Sequence, residues 1–258
     1  MSLSQADGFQ SVHVSRNLGW KDLRTALAAG WADFKAMPVF GIFFALFYVL
    51  GGIALYFGTV SQGQLIWFIA AATGFPILAP FAAVGIYEVS RRRETGEPVN
   101  WTGVLGALRG RGNGQLSMMA TAVLIIFGFW VIIAFGIFAI FVGQSGIGGQ
   151  SLDILGSGRG LAMLAVGSLV GGLIAFVLFS VTVVSLPMLL DRDVDFVTAI
   201  VASVEAVRLN RGTMLLWAVL IACVLFLSML PIFVGLLIAL PVLGHATWHL
   251  YRRALSPD

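Results

Sequence analysis

Charge is scarce in this chain: Asp, Glu, Lys and Arg make up 10% of its 258 residues, against 59% hydrophobic residues. So little charge cannot cover a soluble domain of this length, and the composition places the chain in a bilayer. Cysteine is scarcer still. Cys223, the only one, stands inside an apolar run, which excludes an intramolecular disulfide and a cysteine-built metal site; a small, buried apolar role is expected of it. Histidine is confined to His13, His245 and His249. Residues 1–36 lack the ordered basic start, apolar core and small-residue cleavage site of a secretory signal, so a mature, cytoplasmic amino terminus is expected. There is no phosphate-binding glycine loop, nucleophile elbow or zinc-protease helix motif. With almost no charge in the apolar stretches, no enzymatic activity, catalytic residue, metal site or cofactor is expected.

What the chain has in abundance is apolar length. Crossing a hydrocarbon core about 30 Å thick takes about 20 mostly apolar residues, and six stretches qualify: Pro38–Gly58, Leu65–Val89, Leu116–Val142, Leu161–Leu190, Thr213–Leu230 and Ile232–Leu250. The last two form the shortest hairpin, which leaves a re-entrant loop open as an alternative. Each hairpin is preceded by a segment of helical periodicity. The first carries Trp20, Leu23, Leu27, Trp31 and Phe34 on one face and Lys21, Arg24, Asp33 and Lys35 on the other. The second carries Trp101, Val104, Leu105 and Leu108 behind an Asn100 cap, the third Phe196, Ile200, Val204 and Val207 behind Asp195. The expected fold is therefore all-α and polytopic, with six transmembrane helices as three hairpins, each led by an amphipathic interfacial helix. Its units are about 18–93, 98–190 and 194–253 within a single domain 18–254, between a flexible tail 1–17 and a short tail 255–258. Every Lys and Arg except Arg159 falls on one side of this topology. That bias puts both termini in the cytoplasm, at an inner membrane, and makes nucleic-acid binding unnecessary to explain the positive charge.

One signature occurs twice. Pro80 is followed by Tyr87, Glu88, Arg91 and Arg92, and Pro241 by Trp248, His249, Arg252 and Arg253, at the same offsets. An aromatic and then paired arginines mark a helix meeting headgroups. Glu88, three and four residues before Arg91 and Arg92, is a candidate proton relay, although the spacing favours an ion pair with those arginines. His245 and His249 share a helix face and make half of a metal site, with Glu88 as a candidate third ligand; satisfied histidines at the interface are favoured over it. The carboxylates of Asp191, Asp193 and Asp195 could take a hard cation; preferably, Asp193 and Asp195 cap the following helix while Arg192 pairs locally. Pro76, Pro80, Pro187 and Pro241 are expected kinks inside apolar runs. Gly167 and Gly171 form a small-xxx-small pair for helix packing. Trp67, Trp217 and Trp248 read as interface anchors and mid-span Trp130 as a packing residue.

The stretches from Pro80 to Arg92, from Pro187 to Ile200 and from Met214 to Ala222 resemble a bacterial inner-membrane family known as domain of unknown function 2189. The resemblance implies an integral membrane protein and carries no catalytic residues. Family members are sometimes linked with cytochrome c oxidase subunit I, but a haem-copper subunit needs several histidines on several helices, and this chain has three. The expected partners are the lipid bilayer and a second copy or a larger membrane complex. The expected role is structural, accessory or assembly, with a transporter or channel for a small solute or lipid as the alternative.

Overall fold

The computed structural model describes residues 13–60, 79–107, 114–143 and 156–255. Helices α1 (Trp20–Ala36), α2 (Pro38–Thr59), α3 (Ala79–Thr95), α4 (Trp101–Ala107) and α5 (Gln115–Phe141) are followed by α6 (Gly158–Thr182), α7 (Ser185–Asp191), α8 (Phe196–Leu209), α9 (Arg211–Met229) and α10 (Leu236–Ala254). No strand occurs among the described residues, so the all-α expectation holds there. Among the described residues, four helical stretches are long and apolar enough to cross a membrane: α2, α5, α9 and the run Gly158–Asp191 that joins α6 to α7. The expected second span, Leu65–Val89, lies mostly outside the described residues, as do Trp67, Pro76 and Leu108. The expected sixth span is α10, which differs from the four. Its apolar part ends near Gly244, about 14 Å from its start at 1.5 Å per residue, and the rest is polar. A helix enclosed by other helices does not need an apolar surface all round, because its polar half can be satisfied by its neighbours.

The three amphipathic segments form as α1, α4 and α8. The local caps explain where two of them start: Asn100 Oδ1 accepts from the Gly103 amide at 2.8 Å, and an Asp195 carboxylate oxygen accepts from the Thr198 amide at 2.9 Å. Their inner faces point into the protein. In α1 the buried row is Leu23, Ala26, Gly30, Asp33 and Phe34, so Asp33 lies on the inner face and not, as expected, on the outer one, while Trp20 and Trp31, expected beside Leu23 and Phe34, lie exposed on the outer face with Arg24 and Lys35.

Helix α10 is the hub, packing on α1, α2, α3 and α9. Its approach to α1 is backbone to backbone: a Cβ on Gly30 would lie 2.5 Å from the Ala246 nitrogen, a distance only glycine avoids. The buried Pro241 sits against Gly41. After α9 the chain turns through Ile232 and Phe233, both at positive φ, before α10 begins.

The run from α6 to α7 is 34 residues, or about 51 Å at 1.5 Å per residue, longer than a hydrocarbon core of about 30 Å. It is interrupted at Val183 and Val184, four and three residues before Pro187. Pro187 has no N–H to offer the Val183 carbonyl and its ring crowds that group. The gap is filled from α8. Ser203 Oγ accepts from the Val184 amide at 3.1 Å and donates to the Ser180 carbonyl at 2.7 Å. A serine hydroxyl thus stands in for the helical bond between those two groups, a recognised cause of helix breaks.

Helices α5 and α6 form a hairpin that packs largely on itself. Trp130 lies over Gly171, where a Cβ would meet its ring at 2.8 Å, whereas Gly167 faces open space. One half of the small-xxx-small pair therefore makes a close contact and the other does not. The outer flanks of α2, α5, α6 and α9 expose large apolar residues such as Phe47, Phe129, Leu169 and Phe226. Cys223 also faces outward on α9, which corrects the expectation that it is buried. Such a belt suits hydrocarbon as its solvent.

Candidate functional site

Polar side chains gather where the C-terminal ends of α3, α7 and α10 meet α1. At the centre is Asp33. One of its oxygens, Oδ2, accepts from Ser90 Oγ at 2.7 Å and contacts His249 Nε2 at 2.9 Å, while Oδ1 accepts from Arg93 Nε at 2.9 Å. Because the carboxylate only accepts, His249 Nε2 must carry the proton it donates. Ser90 also lies 2.7 Å from His245 Nδ1. With its own proton given to Asp33, the serine can only accept, so His245 is protonated on Nδ1 and its Nε2 is a bare lone pair. That atom is fully buried and has no hydrogen-bond partner among the described residues. Burial alone pushes the Asp33 carboxyl up, but the hydrogen bonds from His249 and Ser90 and the nearby imidazoles outweigh it and hold the group down at about 2.

This is not a nucleophile arrangement. In a hydrolytic triad the histidine lies between serine and carboxylate, whereas here the serine lies between them and accepts a hydrogen bond from the imidazole. Nor does the candidate metal constellation of His245, His249 and Glu88 come together. Glu88, the candidate third ligand, is bound elsewhere, and among the described residues no group of three or more His, Cys, Asp or Glu side chains is spaced to hold a metal ion.

Glu88 is the anchor of a second network. Arg91 grips it with Nε at 2.8 Å and Nη2 at 2.9 Å, and Arg92 Nε adds a bond of 2.6 Å. Both arginines are the partners that the helical spacing indicated. Arg91 also reaches Glu97 with Nη1 at 2.9 Å. Gly96, at φ +72°, turns the chain out of α3 and brings Glu97 back to that position. The Arg91 guanidinium holds the Glu97 carboxyl below its ordinary range, and Glu88 foremost holds Arg91 firmly protonated.

A third network ties α10 to α3 and α7. Trp248 Nε1 donates to Glu94 at 2.9 Å, and Arg252 bridges Glu94 and Asp191 at 3.0 Å to each. The Tyr251 hydroxyl donates to Asp191 at 2.8 Å. Asp191 is therefore a tether for α10, its carboxylate taken up by Arg252 and Tyr251. Trp248 and Trp217, expected at the interface, are fully buried, and Trp217 Nε1 has no partner among the described residues. Within the stretch read as a tail, residues 14–18 are pinned. The Ser15 amide donates to the Ala254 carbonyl at 2.9 Å, and Asn210 bonds both the Ser15 carbonyl, at 2.8 Å, and the Leu18 amide, at 3.1 Å. Arg253 closes the set by pairing with Asp22 at 3.0 Å.

The duplicated signature thus brings its two copies together: α3 and α10 pack side by side, and Arg252 of one pairs with Glu94 of the other. Of the kink candidates, Pro187 accompanies a break, Pro241 is buried inside a continuous α10, and Pro80 lies within α3. Sequence reasoning missed Asp33, Ser90, Glu94 and Asn210. The signal for Asp33 was present, because Leu23, Ala26, Gly30 and Asp33 fall on one helical row.

Residues 68–191 match the family model described as a predicted integral membrane protein (DUF2189). That span contains the Pro80–Arg92 stretch and the start of the Pro187 stretch, so the family resemblance is shown there, while Met214–Ala222 lies beyond it. No curated protein and no solved structure matches the chain.

Proposed function

We propose that this integral membrane protein has a structural, accessory or assembly role, packing with itself or within a larger membrane complex of a bacterial inner membrane, and that it acts without catalysis. The observation that carries this reading is a contrast within the fold. Asp22, Asp33, Glu88, Glu94, Glu97 and Asp191 are all ion-paired, so the charged end of the protein is committed to holding its own helices. By contrast, only 11% of the most apolar stretch of α5 is buried, so the α5–α6 hairpin projects an uncovered apolar face at membrane depth. Fixed charges and a bare flank suit a part that docks.

The arginine-rich end is placed in the cytoplasm by the positive-inside rule. Six crossings, with α10 as the enclosed sixth, agree with Ser15 and Ala254 meeting at the same end. A periplasmic reporter is expected to be active at Gly149 and inactive at Gly96; the reverse pattern rejects this orientation. The second reading, a transporter or channel for a small solute or lipid, is favoured by His245 Nε2 and Trp217 Nε1, two buried polar atoms without partners among the described residues. Gentle extraction by a C-terminal tag, with mass spectrometry of what co-purifies, separates the two. A companion at near-equal amount, or a stable homo-oligomer, is expected; recovery as a lone monomer overturns the docking role and leaves transport.

A further inference from the structure

The outward face of α1 is unlike the charged end beside it. Trp20, Arg24, Ala28, Trp31 and Lys35 follow one another at steps of three or four residues and form a single exposed ridge, with Lys21 next to it. Trp20 is 59% exposed and Trp31 44%, and the Lys35 ammonium lies 5.9 Å from the Trp31 ring centre. Arg91, Arg92, Arg93, Arg252 and Arg253 are all spent on internal carboxylates. Lys21, Arg24 and Lys35 have no carboxylate partner among the described residues. The two acidic residues of α1 are turned away from the ridge, Asp22 toward Arg253 and Asp33 into the core. The ridge is therefore cationic and aromatic, with no anion on it.

Its position says what it meets. Helix α2 starts two residues after α1 and immediately exposes Val39, Ile42, Leu46 and Phe47. The ridge thus sits at the edge of the apolar belt, at headgroup depth, where tryptophan and basic side chains partition. We infer that the outward face of α1 binds anionic phospholipid headgroups of the leaflet on its side, with Lys21, Arg24 and Lys35 supplying the charge and Trp20 and Trp31 the interfacial anchor. This goes beyond the docking role, since it concerns a different face and a lipid ligand.

The test uses the full-length protein reconstituted in phosphatidylcholine vesicles containing brominated phosphatidylglycerol or brominated phosphatidylcholine, with tryptophan quenching as the readout. The expected result is a preference for the anionic lipid of about fivefold for each cation engaged, weakening as salt is raised. The W20F/W31F variant should lose the difference, which locates it on α1. The K21Q/R24Q/K35Q variant should lose it with an unchanged circular dichroism spectrum, and K21R/K35R should keep it. Equal quenching by the two lipids overturns the inference. So does a preference that survives the triple glutamine variant; an acidic protein is then the occupant to look for. If the triple variant does not fold, the salt titration and the W20F/W31F comparison decide the matter on folded protein.

Discussion

Replacing Asp33 by asparagine is the sharpest test of the charged centre, because it keeps the size of the side chain and removes only its charge. Holding the carboxyl at about 2 in place of its ordinary 3.8 corresponds to about 2 kcal/mol in favour of the folded protein at neutral pH. The amide that replaces the carboxylate must also turn its NH₂ toward Arg93 or toward Ser90 and His249, leaving a donor facing donors, for about 1 kcal/mol more. The sum, about 3 kcal/mol, sits at the low end of what breaking a buried pair costs, as suits an ion pair whose Arg93 and His249 are partly open to solvent. At roughly 2–4 °C per kcal/mol for a chain of this size, D33N should melt about 10 °C below the native protein in mild detergent at neutral pH. The pH dependence has a definite sign. A depressed carboxyl stabilises the fold above its unfolded value and loses that effect as pH falls through the folded one. The gap between native and D33N melting should thus stay constant from neutral pH down to about 4 and narrow between about 4 and 2 to the roughly 1 kcal/mol of the misfitted amide. The control is D22N, whose partner Arg253 is about one-third exposed; it should cost under about 1 kcal/mol. A D33N protein that melts within about 2 °C of the native one, or a gap unchanged at about pH 3, refutes the placement of Asp33 at the centre of the network.

Ser203→Ala removes the hydroxyl that bridges the α6–α7 break and leaves a buried N–H and C=O unpaired; a loss of about 2 kcal/mol is expected, read as a lower midpoint in the same melting assay. Gly30→Ala pushes a methyl group into the backbone of α10 and should cost about 1–3 kcal/mol, whereas Gly167→Ala, with nothing near it, should be neutral or slightly stabilising; comparing their expression and melting checks the asymmetry. Cys223, outward on α9, should react in native membranes with a lipid-soluble maleimide and resist a charged, membrane-impermeant one.

What could be read without coordinates was what is local. Caps at Asn100 and Asp195, the Glu88 pairing with Arg91 and Arg92, and the helical character of α1 all depend on residues three or four apart, a distance that sequence states directly, whereas the face that α1 buries was assigned wrongly at Trp20, Trp31 and Asp33. The Asp33 centre depends on α1, α3 and α10, whose members are 57 and 155 residues apart in sequence at the Ser90 contacts, and no periodicity encodes such a meeting. Trp217, Trp248 and Cys223 were misplaced for one shared reason. Hydropathy says how deep a residue lies and not which way it points, so the same pattern fits a helix in the middle of the bundle and one on its rim. That α10 is the middle one follows from its neighbours, not from its own composition.

The central position of α10 has a consequence for how the protein is made. It follows every other described helix in sequence, yet α1 and α2 pack far more on it than on each other. While the ribosome is still translating, α1 has little to hold it, and Asp33, Glu94 and Asp191 have not met the imidazoles and arginines of α10. The earlier helices therefore wait in the bilayer as separate pieces until α10 is made and draws them together. A chain that stops short of Leu236 loses more than its last helix; it loses the part around which the first three assemble, and it presents unpaired charges by which a membrane protease can recognise unfinished work.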